Sequence, residues 1–430
     1  MSATIFAKAS GSGRSGVAVY RISGPEAGRV LSTLTGSTGK PRAARRVTVR
    51  DGDGAQVDDG LALWFPGPAS FTGEDVAELQ LHGSIAVERR LTEVLTGLGI
   101  EPAGPGAFSM RAFANGKMDL TQAEGLSDLL EAETELQLKQ ALAGHSGQLR
   151  ALADEWRGLL ISALAQLEAA VDFPDEEDVP AQIAERALPL VRDVRTALSD
   201  QLATAARARR VAEGVTIAIL GPPNAGKSSL FNRLVADERA IVSPEEGTTR
   251  DVVSERVELH GHLVSFLDTA GVREDPSSSV EATGIGLAVR AAEQADLRLL
   301  CYPSGAGDLP GWLQSYRRDG DIIVRTKSDL SGELDGYSSL DDQSVERLSL
   351  QIRARLDDLA APGLAASERQ AGLIRAALVS LDGFEASIEA APELGSETIR
   401  HAATRLEELT GRIAPDDVLG DIFSSFCIGK

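Results

Sequence analysis

Apolar positions along the chain change period twice. In residues 1–118, short apolar runs at 17–22, 61–65 and 76–81 alternate with Gly- and Pro-containing turns, and a helix-like stretch follows at 85–98. Strand-length runs of this kind, with one helical pattern beside them, predict an α+β domain. From Leu120 the spacing turns helical: Leu149, Leu152, Trp156, Leu159, Ala163 and Leu167 recur at three- and four-residue steps and line one face, the core of a bundle. The acidic stretch DFPDEEDVP at 172–180 ends that helix, and Ile183, Ala187, Val191, Val194, Leu198 and Leu202 begin another. A strand-like run at 215–220 then breaks the helical pattern, and others follow at 263–267 and 322–324. Helical periodicity returns after Ser367 through Ile374, Ala377, Leu381, Phe384 and Ile388, then Ile399, Ala402, Leu406 and Leu409. Helical segments on both sides of an α/β unit imply an insertion. The predicted organisation is an α+β domain (1–118), a first helical part (119–212), an inserted α/β domain (213–365) and a second helical part (366–430). The two tethers of the insertion are expected to lie close together, so that change within it pulls on helices.

The inserted domain carries the chemistry. GPPNAGKS at 221–228 fits G-x-x-x-x-G-K-[ST], follows the apolar run 215–220 and opens a helical pattern through Leu230, Phe231 and Leu234. Strand, loop and helix together mark a phosphate-binding loop: backbone N–H groups close on phosphates, Lys227 reaches the outer ones and the Ser228 hydroxyl ligates magnesium. GTTRD at 247–251 stands at the distance of a first switch loop, where Thr249 would complete the magnesium site. DTAG at 268–271 follows a strand, so that Asp268 holds magnesium through water and Gly271 senses the γ-phosphate. TKSD at 326–329 caps the run 322–324; the Asp329 carboxylate can accept two hydrogen bonds from guanine, whereas adenine would leave it unpaired. GTP is therefore expected over ATP. Thr326 stands where asparagine is usual. An asparagine would bond guanine and tie the base loop to the phosphate loop, whereas threonine offers one hydroxyl, so specificity should survive and affinity should suffer. The last base-contacting loop is expected near 338–340.

Hydrolysis needs an oriented water and a positive charge on the transition state. Ras-type enzymes use a glutamine and an arginine. Here Val272 follows Gly271 and cannot orient water, which leaves Arg250, Arg273, Glu274, Asp275 and Glu281 as candidates, each also readable as a solvated charge. Asn224, inside the phosphate loop, either ligates a monovalent cation at the arginine position or stabilises the loop by a hydrogen bond.

Composition narrows the setting. The chain has 430 residues, 43% hydrophobic and 25% charged, with net charge −21. That suits a globular protein of about three domains. No apolar run reaches the ~18–20 residues of a membrane span, and the start lacks a signal-peptide core, so a cytoplasmic protein is expected. Cys301 and Cys427 form no disulfide framework, in keeping with a reducing compartment. The negative charge opposes a strong grip on RNA by this chain alone. Two basic clusters, Arg42, Arg45, Arg46 and Arg50, and Arg207, Arg209 and Arg210, read as solvated faces before they read as nucleic-acid contacts. His260 and His262 flank Gly261 as a hairpin turn, and His82, His145 and His401 show no zinc spacing.

Across nearly its whole length the chain resembles the MnmE (TrmE) tRNA-modification GTPases. The residues that carry the resemblance are GVAVYRISG near the start, LALWFPGPASFTGEDVAELQLHG at 61–83, RAFANGKMDLTQAE, DFPDEE, VEATGIG and the terminal FSSFCIGK. The resemblance implies a multidomain α/β plus α+β fold, with a Ras-like P-loop GTPase domain inserted in an all-α helical domain and preceded by a folate-binding, dimerising α+β domain. It implies a nucleotide site of Asn224, Ala225, Gly226, Lys227, Ser228, Ser229, Ser243, Thr248, Thr249, Asp268, Thr269, Ala270, Gly271, Thr326, Lys327 and Asp329. Magnesium would sit on Ser228 and Thr249, and potassium on Asn224 with Ser243, Glu245 and Thr248. Glu281 matches the catalytic glutamate. Arg21, Glu78, Lys117 and Lys430 match positions that bind a tetrahydrofolate derivative; taken alone, Arg21 and Lys117 read as surface cations and Glu78 as an edge-strand carboxylate. Cys427 has either a part in the modification chemistry or the role of a small buried thiol. The implied partners are a second copy of the chain, the MnmG (GidA) flavoprotein in a heterotetramer, and tRNA mainly through that complex, with no membrane.

Three function classes follow. The leading one is an enzyme coupling potassium-dependent GTP hydrolysis to folate-dependent addition of an aminomethyl-type group at carbon 5 of the tRNA wobble uridine. The second is a regulatory switch such as a ribosome-assembly GTPase, which has no use for the 61–83 block or the FCIGK tail. The third is a folate-binding transferase with a decayed GTPase, which Thr326 and the poor last base-contacting loop would favour.

Overall fold

The computed structural model describes residues 3–172, 179–236, 239–240, 253–267, 293–332, 335–426 and 428–429. The chain forms two compact units, Met1–Ser127 with Glu407–Lys430, and Asp128–Leu406.

The first unit is built on six strands, β1 (Ile5–Lys8), β2 (Ser15–Ser23), β3 (Arg45–Arg50), β4 (Gln56–Phe65), β5 (Val76–Gly83) and β6 (Glu101–Pro102), in the order β3-β4-β5-β2-β1-β6. Neighbours run antiparallel except β1 and β6. Alternation gives β2 two distinct faces. Ala18, Tyr20 and Ile22 pack with Val30, Leu31 and Leu34 of helix Ala27–Thr35 and with Leu91 and Leu95 of helix Ile85–Gly97. Arg21 points to the other face, where Ile5, Ala7 and Phe108 form a smaller core. On β3, Arg46, Thr48 and Arg50 alternate with buried Val47 and Val49, so part of that basic cluster is one edge strand of period two. Glu78 does not lie on an edge strand. β5 is paired on both sides, with β4 and β2, and the β2–β5 register sets Glu78 opposite Arg21.

The second unit combines long helices with the inserted α/β sheet. On helix Gln148–Asp172 the buried stripe is Leu149, Ala153, Trp156, Leu160, Ala163 and Leu167, so Leu152 and Leu159 flank the seam instead of filling it. Helix Val179–Glu213 answers with Ala187, Val191, Val194 and Leu198. Ile374, Ala377, Leu381 and Phe384 are buried as their spacing predicts, although the chain turns between helices Glu368–Ser380 and Phe384–Ala390.

The inserted sheet comprises β7 (Val215–Leu220), β8 (Arg239–Ala240), β9 (Val253–Leu259), β10 (His262–Leu267), β11 (Leu297–Pro303) and β12 (Ile322–Thr326), ordered β12-β11-β7-β10-β9-β8. The strands β10, β7, β11 and β12 run parallel, and β9 turns back on β10 through His260 and Gly261, both at positive φ, the hairpin expected there. The tethers of this insertion meet. Gln140 Nε2 donates to Ala208 O at 2.9 Å and its Oε1 accepts from Gly363 N at 3.2 Å, while Ala361 N donates to Arg207 O. Val211, still on the incoming helix, packs in the same core as Val215, Ile217, Leu356 and Ala360.

Candidate nucleotide and ligand sites

The phosphate loop leaves the carboxyl end of β7, where parallel sheets present their ligand sites, and ends on helix Lys227–Ala236. Local sequence dictates its path. A Cβ on Gly221 would collide with the Cys301 carbonyl of the neighbouring strand, and Asn224 and Gly226 take positive φ. Lys227 Nζ turns over the loop and donates to Gly221 O at 2.8 Å and Pro222 O at 3.0 Å. Ser228 and Ser229 lie exposed on the first helical turn, and Ala225 is buried beneath. An ammonium, a hydroxyl and the backbone N–H groups of a helix start form a donor set suited to phosphate with magnesium. Asn224 is exposed in its left-handed conformation. Cys301 is fully buried and burial pushes its thiol up to about 12, so it acts as an apolar packing residue.

Thr326 ends β12, 2% exposed. Its hydroxyl stands against the Ala225 carbonyl of the phosphate loop and against Tyr302 O at 3.1 Å. The tie between base loop and phosphate loop is thus kept without asparagine, which tempers the affinity loss expected from this departure. Lys327 takes positive φ and leads into the short helix Ser328–Ser331, with Asp329 exposed on it. Beyond, Tyr337 makes a lone parallel bridge with Thr326 and leads into Ser338, whose Oγ accepts from Leu340 N at 3.2 Å. A further strand is here reduced to one bridge, and the 338–340 segment follows it.

Ser243, Glu245, Thr248, Thr249, Arg250, Asp268, Thr269, Ala270, Gly271, Val272, Arg273, Glu274, Asp275 and Glu281, all proposed from sequence, lie outside the described residues, as do Cys427 and Lys430.

In the first unit, Arg21 Nε and Nη2 both reach Glu78 Oε1, at 3.0 and 2.9 Å, and both side chains are largely buried. The guanidinium sits between Phe71 and Phe108, 5.3 and 5.7 Å from their ring centroids. Its Nη1 donates to Gly429 O at 3.4 Å, 408 positions away in the chain. The tail is held there by the Pro105–Ile428 bridge, and only glycine fits at 429, where φ is +99° and a Cβ would collide with Lys8 O. Arg21 is therefore no surface cation. Lys117 is exposed beside Gly73, on the loop that carries Phe71. That loop is pinned from beneath: Ser23 Oγ bonds Thr72 Oγ1 (2.7 Å) and Glu74 (2.9 Å), and Arg111 donates to Glu74 (2.8 Å). Sequence reasoning did not single out Phe71, Phe108 or Gly429; only their presence in the 61–83 block and the terminal string could have marked the first and last. With both Arg21 bonds on Oε1, Glu78 keeps an oxygen for a ring N–H, and two aromatic faces flank the cation. This donor set fits a flat, amino-substituted heterocycle.

The basic clusters are largely engaged within the chain. Arg42 donates to Ala69 O, Arg45 to Thr35 and Ser37, and Arg50 to Gly54 O; Arg207 donates to Asp357 O, Arg209 meets Glu368 and Arg210 meets Asp296.

The family described as "GTP-binding protein TrmE N-terminus" matches residues 4–117, and that described as "MnmE helical domain" matches 120–427. The chain belongs to the MnmE family of tRNA modification GTPases. The tRNA modification GTPase MnmE of Paracoccus denitrificans is 45% identical over 429 residues, 99% of this chain and 100% of its own, and that of Paramagnetospirillum magneticum is 43% identical over 448 residues, all of both chains. Among solved structures, the G domain of the T. maritima FeoB iron transporter matches 33% of this chain and 98% of its own at 22% identity, with a TM-score of 0.24. MnmE membership accounts for both a P-loop GTPase sheet and a separate N-terminal α+β unit. No helix among the described residues is long and apolar enough to cross a membrane.

Proposed function

We propose that this chain is a potassium-dependent GTPase that acts with a flavoprotein partner of the MnmG (GidA) type. Together they use a tetrahydrofolate one-carbon unit to install an aminomethyl-type group, carboxymethylaminomethyl or aminomethyl, at carbon 5 of the wobble uridine of tRNA. In this reading the chain is a cytoplasmic homodimer whose folate domain (1–118) precedes a helical domain (119–212 and 366–430) split by the GTPase (213–365). The observation that carries the modification reading is the return of the C-terminal tail to Arg21, beside Glu78 and two aromatic rings. A plain GTP switch has no need of such a site.

Within the GTPase, Lys227 and the loop N–H groups hold phosphates, Ser228 and Thr249 hold magnesium, and Asn224 with Ser243, Glu245 and Thr248 holds potassium, which brings positive charge where an arginine would act. Glu281 orients the attacking water. In the first unit, Glu78 takes a ring N–H while Arg21, Lys117 and Lys430 supply cations to an anionic ligand. When bound, the folate supplies the one-carbon unit; these residues bind and orient it. Mass spectrometry of tRNA nucleosides from cells lacking this gene tests the reading: wobble uridines should lose their substituent at carbon 5. An unchanged nucleoside profile would return the chain to the class of regulatory switches.

A further inference from the structure

We propose that Thr326 withholds from guanine N7 the donor that an asparagine would bring, so that the nucleotide site reads the base through its N1–H and 2-amino group. The inference rests on the GTPase reading of this same site and adds how the base is read. Guanine offers N1–H and a 2-amino group as donors on its Watson–Crick edge, N7 as an acceptor on its major-groove edge, and O6 as an acceptor reachable from both. Reading N7 therefore requires a donor from the protein.

Thr326 has one side-chain donor, the hydroxyl proton. Its oxygen lies against the Ala225 carbonyl and the Tyr302 carbonyl, and at 2% exposure the side chain has no solvent to turn towards. Whichever carbonyl takes the proton, none is left for the base. In the segment after Tyr337, Ser338 N donates to Ser344 Oγ at 3.0 Å and Leu340 N donates to Ser338 Oγ at 3.2 Å, so these two N–H groups are engaged within the loop. Asp329, exposed on the short helix that follows Thr326 and an acceptor only, complements N1–H and the 2-amino group and nothing else on the ring. An asparagine at position 326 has two amide hydrogens, so one can hold Ala225 while the other faces the base. Threonine keeps the first function and gives up the second. The site thereby tolerates change at N7 while staying strict at the 2-amino group, because losing a donor to a carboxylate leaves that charge underpaired.

The test is calorimetry of the full-length chain with magnesium and GDP, 7-deaza-GDP or IDP. 7-Deaza-GDP, which lacks the N7 acceptor, should bind within about twofold of GDP, and IDP, which lacks the 2-amino group, about tenfold or more weaker. A 7-deaza-GDP affinity about tenfold below GDP would overturn the inference while leaving the GTPase reading intact. No binding of GDP at all would sink that reading instead. Thr326→Asn adds a second arm: GDP should tighten and 7-deaza-GDP should now lag behind it. Equal affinities for the two ligands in a folded Thr326→Asn protein would contradict the assignment to this residue, and the native-chain series decides the matter if that variant does not fold.

Discussion

Arg21 and Glu78 stand 57 positions apart, and neither looks unusual in its own stretch of sequence. Their pairing follows from strand register, which no local pattern encodes, so that reading each residue separately gives a surface cation and an edge carboxylate. Gly429 joins them from the far end of the chain. The phosphate loop is the opposite case: its glycines, lysine and serine are contiguous and each is needed within a few ångströms, so the string itself was sufficient. Thr326 lies between. Its departure from asparagine was plain in the sequence, but the carbonyl it holds belongs to Ala225, 101 positions earlier. If Arg21 anchors a folate, Arg21→Ala should weaken its binding about tenfold or more, the worth of a charge-assisted hydrogen bond, without changing GDP affinity. Unaltered folate affinity by calorimetry would show that the Arg21–Glu78 pair is structural only.

The helices were legible wherever their apolar stripes were long, as in Leu149 to Leu167; the stripe runs through Ala153, where a small residue fills a close helix pair as readily as a leucine does, and through Leu160 in place of Leu159. Short elements were not. β1 spans Ile5–Lys8, and β3 hides two buried valines among arginines, so both read as loop or as a charge cluster. The clasp at the base of the inserted sheet was also invisible, since Gln140 reaches two backbone groups on segments far from it in sequence. Gln140 is buried, and cutting it back orphans the Ala208 carbonyl and the Gly363 N–H together. Gln140→Ala should therefore lower stability by about 2 kcal/mol in urea unfolding. A loss below about 0.5 kcal/mol would mean that the clasp contributes little and that the tethers are held by packing around Val211 and Ala360.

The insertion has a mechanical consequence for the chain as a whole. Both tethers belong to one small region, clasped by Gln140 and continuous with the core of the GTPase sheet, so a rearrangement of that sheet would be passed to the helices that flank it. The net charge of −21, with most arginines of the basic clusters already engaged, agrees with tRNA being gripped mainly in a complex with a partner. In the proposed mechanism, such a rearrangement is driven by hydrolysis that depends on an alkali ion at Asn224 in place of an arginine. GTP turnover by the full-length chain, measured in potassium and again in sodium at equal ionic strength, tests this most directly. Potassium should raise the rate about tenfold or more, as a charge delivered to the transition state does. Equal rates in the two salts would contradict it.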